Sequence, residues 1–307
     1  MTDIQDAAPA DTRDAPAEAK PAAKDDGEKV NWWAELRGLT LMLLAVLAFH
    51  TFIAKPFYIP SGSMMPGLVK GDRLIVSKFP YGWNWSSVSF HALGRGDWRL
   101  LPKTPEYGDI VILQPPRDVN DSGIDWIKRV VALPGDRIAV VNGQIVLNGK
   151  PVPRETEVPD QLPVDANNTC DGFLYPGGKV RLPSGKVVCE LPTYRETLPN
   201  GASYRVLDTQ DDNLLDNFAE IEIPAGHVFL MGDNRDNSSD SRAPAAMGGL
   251  HGPIPLTDIG GRAEFITFSL DGSFAWNPLT WWGALREGRA WTSLRPVTRP
   301  IAAQGED

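Results

Sequence analysis

The chain has 307 residues, enough for one large domain or two modest ones, with an ordinary balance of apolar (42%) and charged (22%) side chains. Its formal net charge of −9, with no basic tract, excludes the electrostatic footprint of a nucleic-acid partner. Two cysteines and four histidines show no ligand spacing, so neither a metal nor a cofactor is expected.

Residues 1–31 read as a disordered tail. Within 1–30 there are eight acids and four bases among alanines and prolines, too little apolar surface to fold. Residues 32–55 read as a transmembrane anchor. The stretch 38–54 between Arg37 and Lys55 has no formal charge, which is the short end of what spans a bilayer. Arg37 and Lys55 can snorkel, and Trp32 and Trp33 suit the interface. A cleaved signal peptide would want small residues at both −3 and −1 of a cut, and Phe52 occupies the first of these before Ala54. Lys29 and Arg37 outweigh Lys55, which favours the amino terminus inside and the remainder outside.

From residue 56 the pattern is β-rich. Arg73–Ser77, Asp109–Leu113 and Trp126–Leu133 are short apolar or alternating runs bounded by turn formers. Asn142-Gly143 and Asn148-Gly149 are hairpin signals around 137–141 and 144–147. The run His227–Met231 leads into Gly232-Asp233-Asn234, and no long amphipathic helix occurs between 56 and 270. The fold expected is mainly β, with an antiparallel barrel- or sandwich-like catalytic core (56–137 plus 226–272) behind one transmembrane helix. Residues 138–225, rich in proline and glycine, form an inserted second β-rich lobe. In an exported domain its Cys170 and Cys189 are expected to pair, worth about 3 kcal/mol in the chain-entropy model, with two free thiols as the alternative. In the tail 273–307, Trp276, Trp281, Trp282 and Trp291 mix with Arg286, Arg289, Arg295 and Arg299. That mixture suits either a membrane interface or packing on the core.

Three segments could carry chemistry. Ser61-Gly62-Ser63-Met64-Met65-Pro66 is a bend, with Pro60 and Pro66 fixing φ and Gly62 freeing it. It follows the apolar stretch so closely that the intervening chain reaches at most about 27 Å. Alone, it also reads as a linker. In Trp126–Val131, alternation puts Trp126, Lys128 and Val130 on one face and Arg129 on the other. If that face is buried, Lys128 loses solvation, its pKa falls, and a neutral amine becomes a usable base. An exposed strand lysine is the plain alternative. Gly232–Arg242 is too polar for a core strand and reads as a hydrogen-bonded loop in which Asp240 and Arg242 can pair. No Gly-x-Ser-x-Gly elbow accompanies the histidines.

Together these segments resemble the bacterial type I signal peptidases. Phe57–Leu68, Tyr107–Ile112, Ile127–Asp136 and Gly232–Arg242 match that family's four boxes in order. The resemblance implies Ser63 as nucleophile, Lys128 as general base and Ser238 as the group that orients it. Ser61, with the Ser63 N–H, would form the oxyanion hole, and Asp240 with Arg242 would brace the site. Phe57, Ile59, Met64, Leu68 and Ile127 would line pockets for the small residues of an Ala-x-Ala site. The implied protein is an endopeptidase acting through an acyl-enzyme. It would work on the outer face of the inner membrane, with exported preproteins and the lipid bilayer as partners. The sequence itself departs from the best-known members in showing one spanning segment where some have two, and a single-pass monomer is expected. The rival readings are a specialised Ser/Lys maturation peptidase and an inactive preprotein-binding module.

Overall fold

The computed structural model describes residues 31–119, 123–273 and 278–300. The acidic segment 1–30 and Trp276 lie outside them. Two compact units divide the chain, Met1–Met42 and Leu43–Asp307. One helix, Trp32–Phe52, carries apolar side chains all round with a mean hydropathy of 1.5. Asn31 caps its start by accepting from the Ala34 N–H. A helix with no polar face is stable in hydrocarbon rather than water, and this one is long enough to cross a bilayer.

Beyond the helix the polypeptide is β. Seven strands form one antiparallel sheet in the spatial order Ala54–Tyr58, Asp72–Ser77, Ile259–Ser269, Ile110–Leu113, Trp126–Ala132, His227–Met231 and Ile254–Pro255. The two outer strands do not pair with each other, so the sheet curls into a half-barrel rather than closing. Register shifts along Ile259–Ser269 let this long strand bend while serving neighbours on both sides. Between residues 56 and 270, the described helices are single short 3-10 turns.

The segment 138–225 supplies most strands of three smaller sheets, and Val297–Thr298 from the tail adds an edge strand to one of them by pairing with Ala202–Leu207. Its hairpin turns are where the Asn-Gly pairs stand: Asn142 and Gly143, and Asn148 and Gly149, all take positive φ, as a two-residue turn matched to strand twist requires. This segment shares a core with the large sheet. Val131, Ala132, Phe229 and Met231 pack with Ile138, Val140, Ile145, Leu147, Leu198 and Tyr204. The sulfurs of Cys170 and Cys189 are bonded. In the tail, Arg286, Arg289 and Arg295 reach back to Asp165, Asp72 and Asp109, while Trp282 and Trp291 are exposed.

A buried ion pair fastens one of the smaller sheets to the polar loop that follows His227–Met231. Arg235 is almost wholly buried and forks onto Glu196, which also accepts from the Tyr204 hydroxyl. Glu196→Ala would leave that guanidinium buried without a counter-charge. Urea denaturation should show a loss of about 3–5 kcal/mol; an unchanged midpoint would contradict this role for the pair.

Candidate active site

The strand Trp126–Ala132 is covered on both faces. Trp126 and Val130 pack with Val111, Leu113 and Leu230, while Val131 and Ala132 join the opposite cluster. Pairing sets Lys128 opposite Val111 and Arg129 opposite Ile110. Alternation then sends the two neighbouring cations to different surroundings. Arg129 donates two bonds to Asp233 (2.7 and 2.6 Å) and one to the Gly108 carbonyl (2.7 Å). Lys128, only 4% exposed, donates instead to the Ser63 hydroxyl at 3.1 Å.

Burial is the main influence on the Lys128 amine, lowering its pKa from 10.5 to about 8 against the opposing pull of Asp240 and Asp233. Burial prevails because both carboxylates are already matched by guanidinium groups. Arg242 forks onto Asp240 (3.0 and 2.9 Å), and Asp240 also accepts from the Gly232 N–H (3.0 Å). Although burial would raise the Asp240 carboxyl, Arg242 and these bonds hold it below its ordinary value.

The serine bend is held by its own turns and by the polar loop. Met65 N–H donates to the Gly62 carbonyl, Leu68 N–H to Met64, and Asn234 N–H to the Ser63 carbonyl (3.1 Å). A side chain at Gly62 would press on the Met65 sulfur. The Ser61 hydroxyl lies 3.4 Å from that of Ser63. Among the described residues no backbone carbonyl accepts from the Ser63 N–H. Ser63 and Lys128 open on a cleft of about 540 Å³ lined by 60–63, 124–128, Leu215, 236–239, Ala243, Met247 and Gly248.

Some expected residues stand elsewhere. Ile127 lines the cleft, but Ile59, Met64 and Leu68 are closed into the core with Leu74, Ile110 and Ile266, and Phe57 packs against that cluster. Ser238 borders the cleft, yet among the described residues its hydroxyl has no hydrogen-bond partner, and none joins it to Lys128. Sequence reasoning left unassigned the ion pair Arg129–Asp233, Gly232 and Asn234. Their signal was position inside the matched boxes; the pairing itself is made only in space.

The family model described as signal peptidase, peptidase S26, matches residues 32–268. The signal peptidase I of Rickettsia typhi is 31% identical over 257 residues, covering 81% of this chain and 82% of that protein. That of Rickettsia akari is 30% identical over 263 residues, covering 83% and 82%. A crystal structure of a signal peptidase I from Enterococcus faecalis matches at 18% identity over 52% of this chain and 97% of that one, with a TM-score of 0.26.

Gly232 gives the sharpest geometric prediction. A Cβ there would overlap the Ser238 hydroxyl and the Ser63 carbonyl. Gly232→Ala should lower kcat/KM on a preprotein by about a hundredfold or more, since small displacements of reacting groups have that effect. Circular dichroism should remain that of a folded protein. Wild-type kinetics would show that the loop does not set the serine's position.

Proposed function

The chain belongs to the S26 signal peptidases, whose reaction is the removal of signal peptides from secreted preproteins, and on that premise we propose that Ser63 is the nucleophile and Lys128 its general base. The observation that carries this reading is the 3.1 Å contact between a desolvated amine and the serine hydroxyl. A serine hydroxyl is a weak nucleophile until a base takes its proton, and a neutral amine can do so without histidine. Ser63 Oγ attacks the scissile carbonyl as its proton passes to Lys128 Nζ. The Ser63 N–H and the Ser61 hydroxyl donate to the developing oxyanion, an interaction typically worth about 3–4 kcal/mol per donor. The Lys128 ammonium then protonates the departing amine. A water deprotonated by the same Lys128 hydrolyses the acyl-enzyme.

The preprotein lies extended in the cleft between the segments 60–63 and 124–128, and the apolar wall at Ile127 favours small side chains near the cut. Ser238 acts by lending its unpartnered hydroxyl to the amine once substrate has entered. The catalytic core, 56–137 with 226–272, works on the outer face of the inner membrane, with the helix Trp32–Phe52 as anchor and the amino terminus in the cytoplasm. The balance of Lys29 and Arg37 against Lys55 supports that orientation, as does a disulfide suited to an oxidising compartment.

Ser63→Ala and Lys128→Met should each abolish cleavage after the second alanine of an Ala-x-Ala preprotein, read by terminal sequencing of products. Full activity in either would overturn the assignment. The base must be neutral, so kcat/KM should rise with pH to a midpoint near 8 and fall about tenfold per unit below it. A flat profile would exclude Lys128 as the base. The same burial weakens the fold. Unfolding restores the ordinary pKa of 10.5, so the unfolded chain binds the proton more tightly and stability rises with pH across the window from about 8 to 10.5. Below that window the full cost of up to about 3 kcal/mol is present. Lys128→Met should therefore be more stable than wild type at neutral pH in urea denaturation, and a less stable variant would contradict the origin assigned to the shift.

A further inference from the structure

Tyr175 belongs to none of the segments that carry the chemistry, yet it reaches them. It stands in a turn tied twice to the strand Val187–Leu191. Cys170 just before the turn is bonded to Cys189, and the Glu190 N–H donates to the Gly178 carbonyl (2.7 Å). The turn closes on itself through Tyr175 N–H to Asp171 O (2.8 Å) and Gly178 N–H to Tyr175 O (3.1 Å). The ring packs among Met65, Val69, both cysteines, Leu191 and Leu207.

Its hydroxyl lies where the two catalytic loops meet. It accepts from Asn234 Nδ2 at 2.8 Å and from Asn237 Nδ2 at 3.5 Å, and it points a donor at the Met65 sulfur at 4.0 Å. The same Asn234 Nδ2 donates to the Gly62 carbonyl at 3.0 Å. Asn234 Oδ1 has no partner among the described residues, so this side chain is steered through its NH2 group alone. The Gly62 carbonyl and the Ser63 N–H are the two ends of one planar peptide unit. A donor fixed on that oxygen therefore fixes the direction of the N–H on the other side, and polarises it.

We propose that Tyr175 is a positioning residue for catalysis: held by the disulfide-bonded turn, its hydroxyl orients Asn234, which aims the Ser63 N–H at the developing oxyanion. This rests on the reading of Ser63 as nucleophile. It gives the segment around the disulfide a part in the reaction while touching no reacting atom. A misaimed N–H weakens what the transition state gains and leaves ground-state binding alone, so the loss falls on kcat.

The test compares Tyr175→Phe, which keeps the ring in its packing, with Tyr107→Phe, which removes a hydroxyl bonded to Asp136 (2.6 Å) away from the cleft. The proposal expects Tyr175→Phe to lose roughly tenfold or more in kcat, within the range for an oxyanion donor. KM and the fraction of sites titrated by an acylating inhibitor should be unchanged, and a peptide aldehyde that mimics the tetrahedral adduct should bind more weakly by the same factor. Tyr107→Phe should retain wild-type kcat. Wild-type kcat in Tyr175→Phe overturns the proposal, as does a loss matched by fewer titratable sites or by a rise in KM. If Ser63→Ala stays active, the nucleophile itself is misassigned; if it is dead while Tyr175→Phe is normal, only the inference about Tyr175 fails.

Discussion

A lysine amine kept out of water and against a serine hydroxyl is the arrangement to which the surrounding charges answer. Carboxylates near an amine favour its charged form, and Asp233 and Asp240 are close enough to pull Lys128 that way. Each is instead gripped by a buried guanidinium, Arg129 on Asp233 and Arg242 on Asp240. The arginines shield the amine from full carboxylate charge, and Arg242 holds the Asp240 carboxyl below its ordinary value. The buried guanidinium groups of this region are each matched by a carboxylate, Arg235 by Glu196 included, because an unmatched one would cost several kcal/mol.

The fold brings this about by drawing on distant parts of the chain. Lys128 and the arginine that shields it from Asp233 are consecutive residues on one strand, separated by strand alternation. The acids come from the loop after His227–Met231, which also delivers Asn234 to the serine bend. Behind the bend, Asp72 accepts from the Val69 N–H, and Arg289 from the tail binds both Asp72 and the Gly67 carbonyl. The serine bend is therefore held from the front by one loop and from the back by the tail. Both holds are made of charge-assisted or backbone hydrogen bonds, which set direction as well as distance.

Much of this was legible in the residues alone, for identifiable reasons. The Asn-Gly turns announce themselves because few other pairs tolerate positive φ twice. Lys128 stands out because a cation in an apolar run needs an explanation, and Ser63 because prolines and glycine stiffen its surroundings. The strand Ile259–Ser269 did not stand out, since its bulges break the two-residue period that reveals a strand. Ile59, Met64 and Leu68 pack in the core beside Leu74, Ile110 and Ile266, and the apolar character of a residue does not by itself tell a core wall from a cleft wall. Pairings such as Arg129 with Asp233 or Tyr175 with Asn234 join residues far apart in sequence, and no local pattern encodes them.

The ionisation of Lys128 itself can be observed. Nuclear magnetic resonance of isotope-labelled lysine side chains, followed against pH, reads each amine separately. Lys78 is also buried and lowered to about 8, so the spectrum must be compared with that of Lys128→Met. The account predicts a resonance with a midpoint near 8 that vanishes in the variant. A resonance assigned by that loss but titrating at the ordinary lysine value of 10.5 would contradict it.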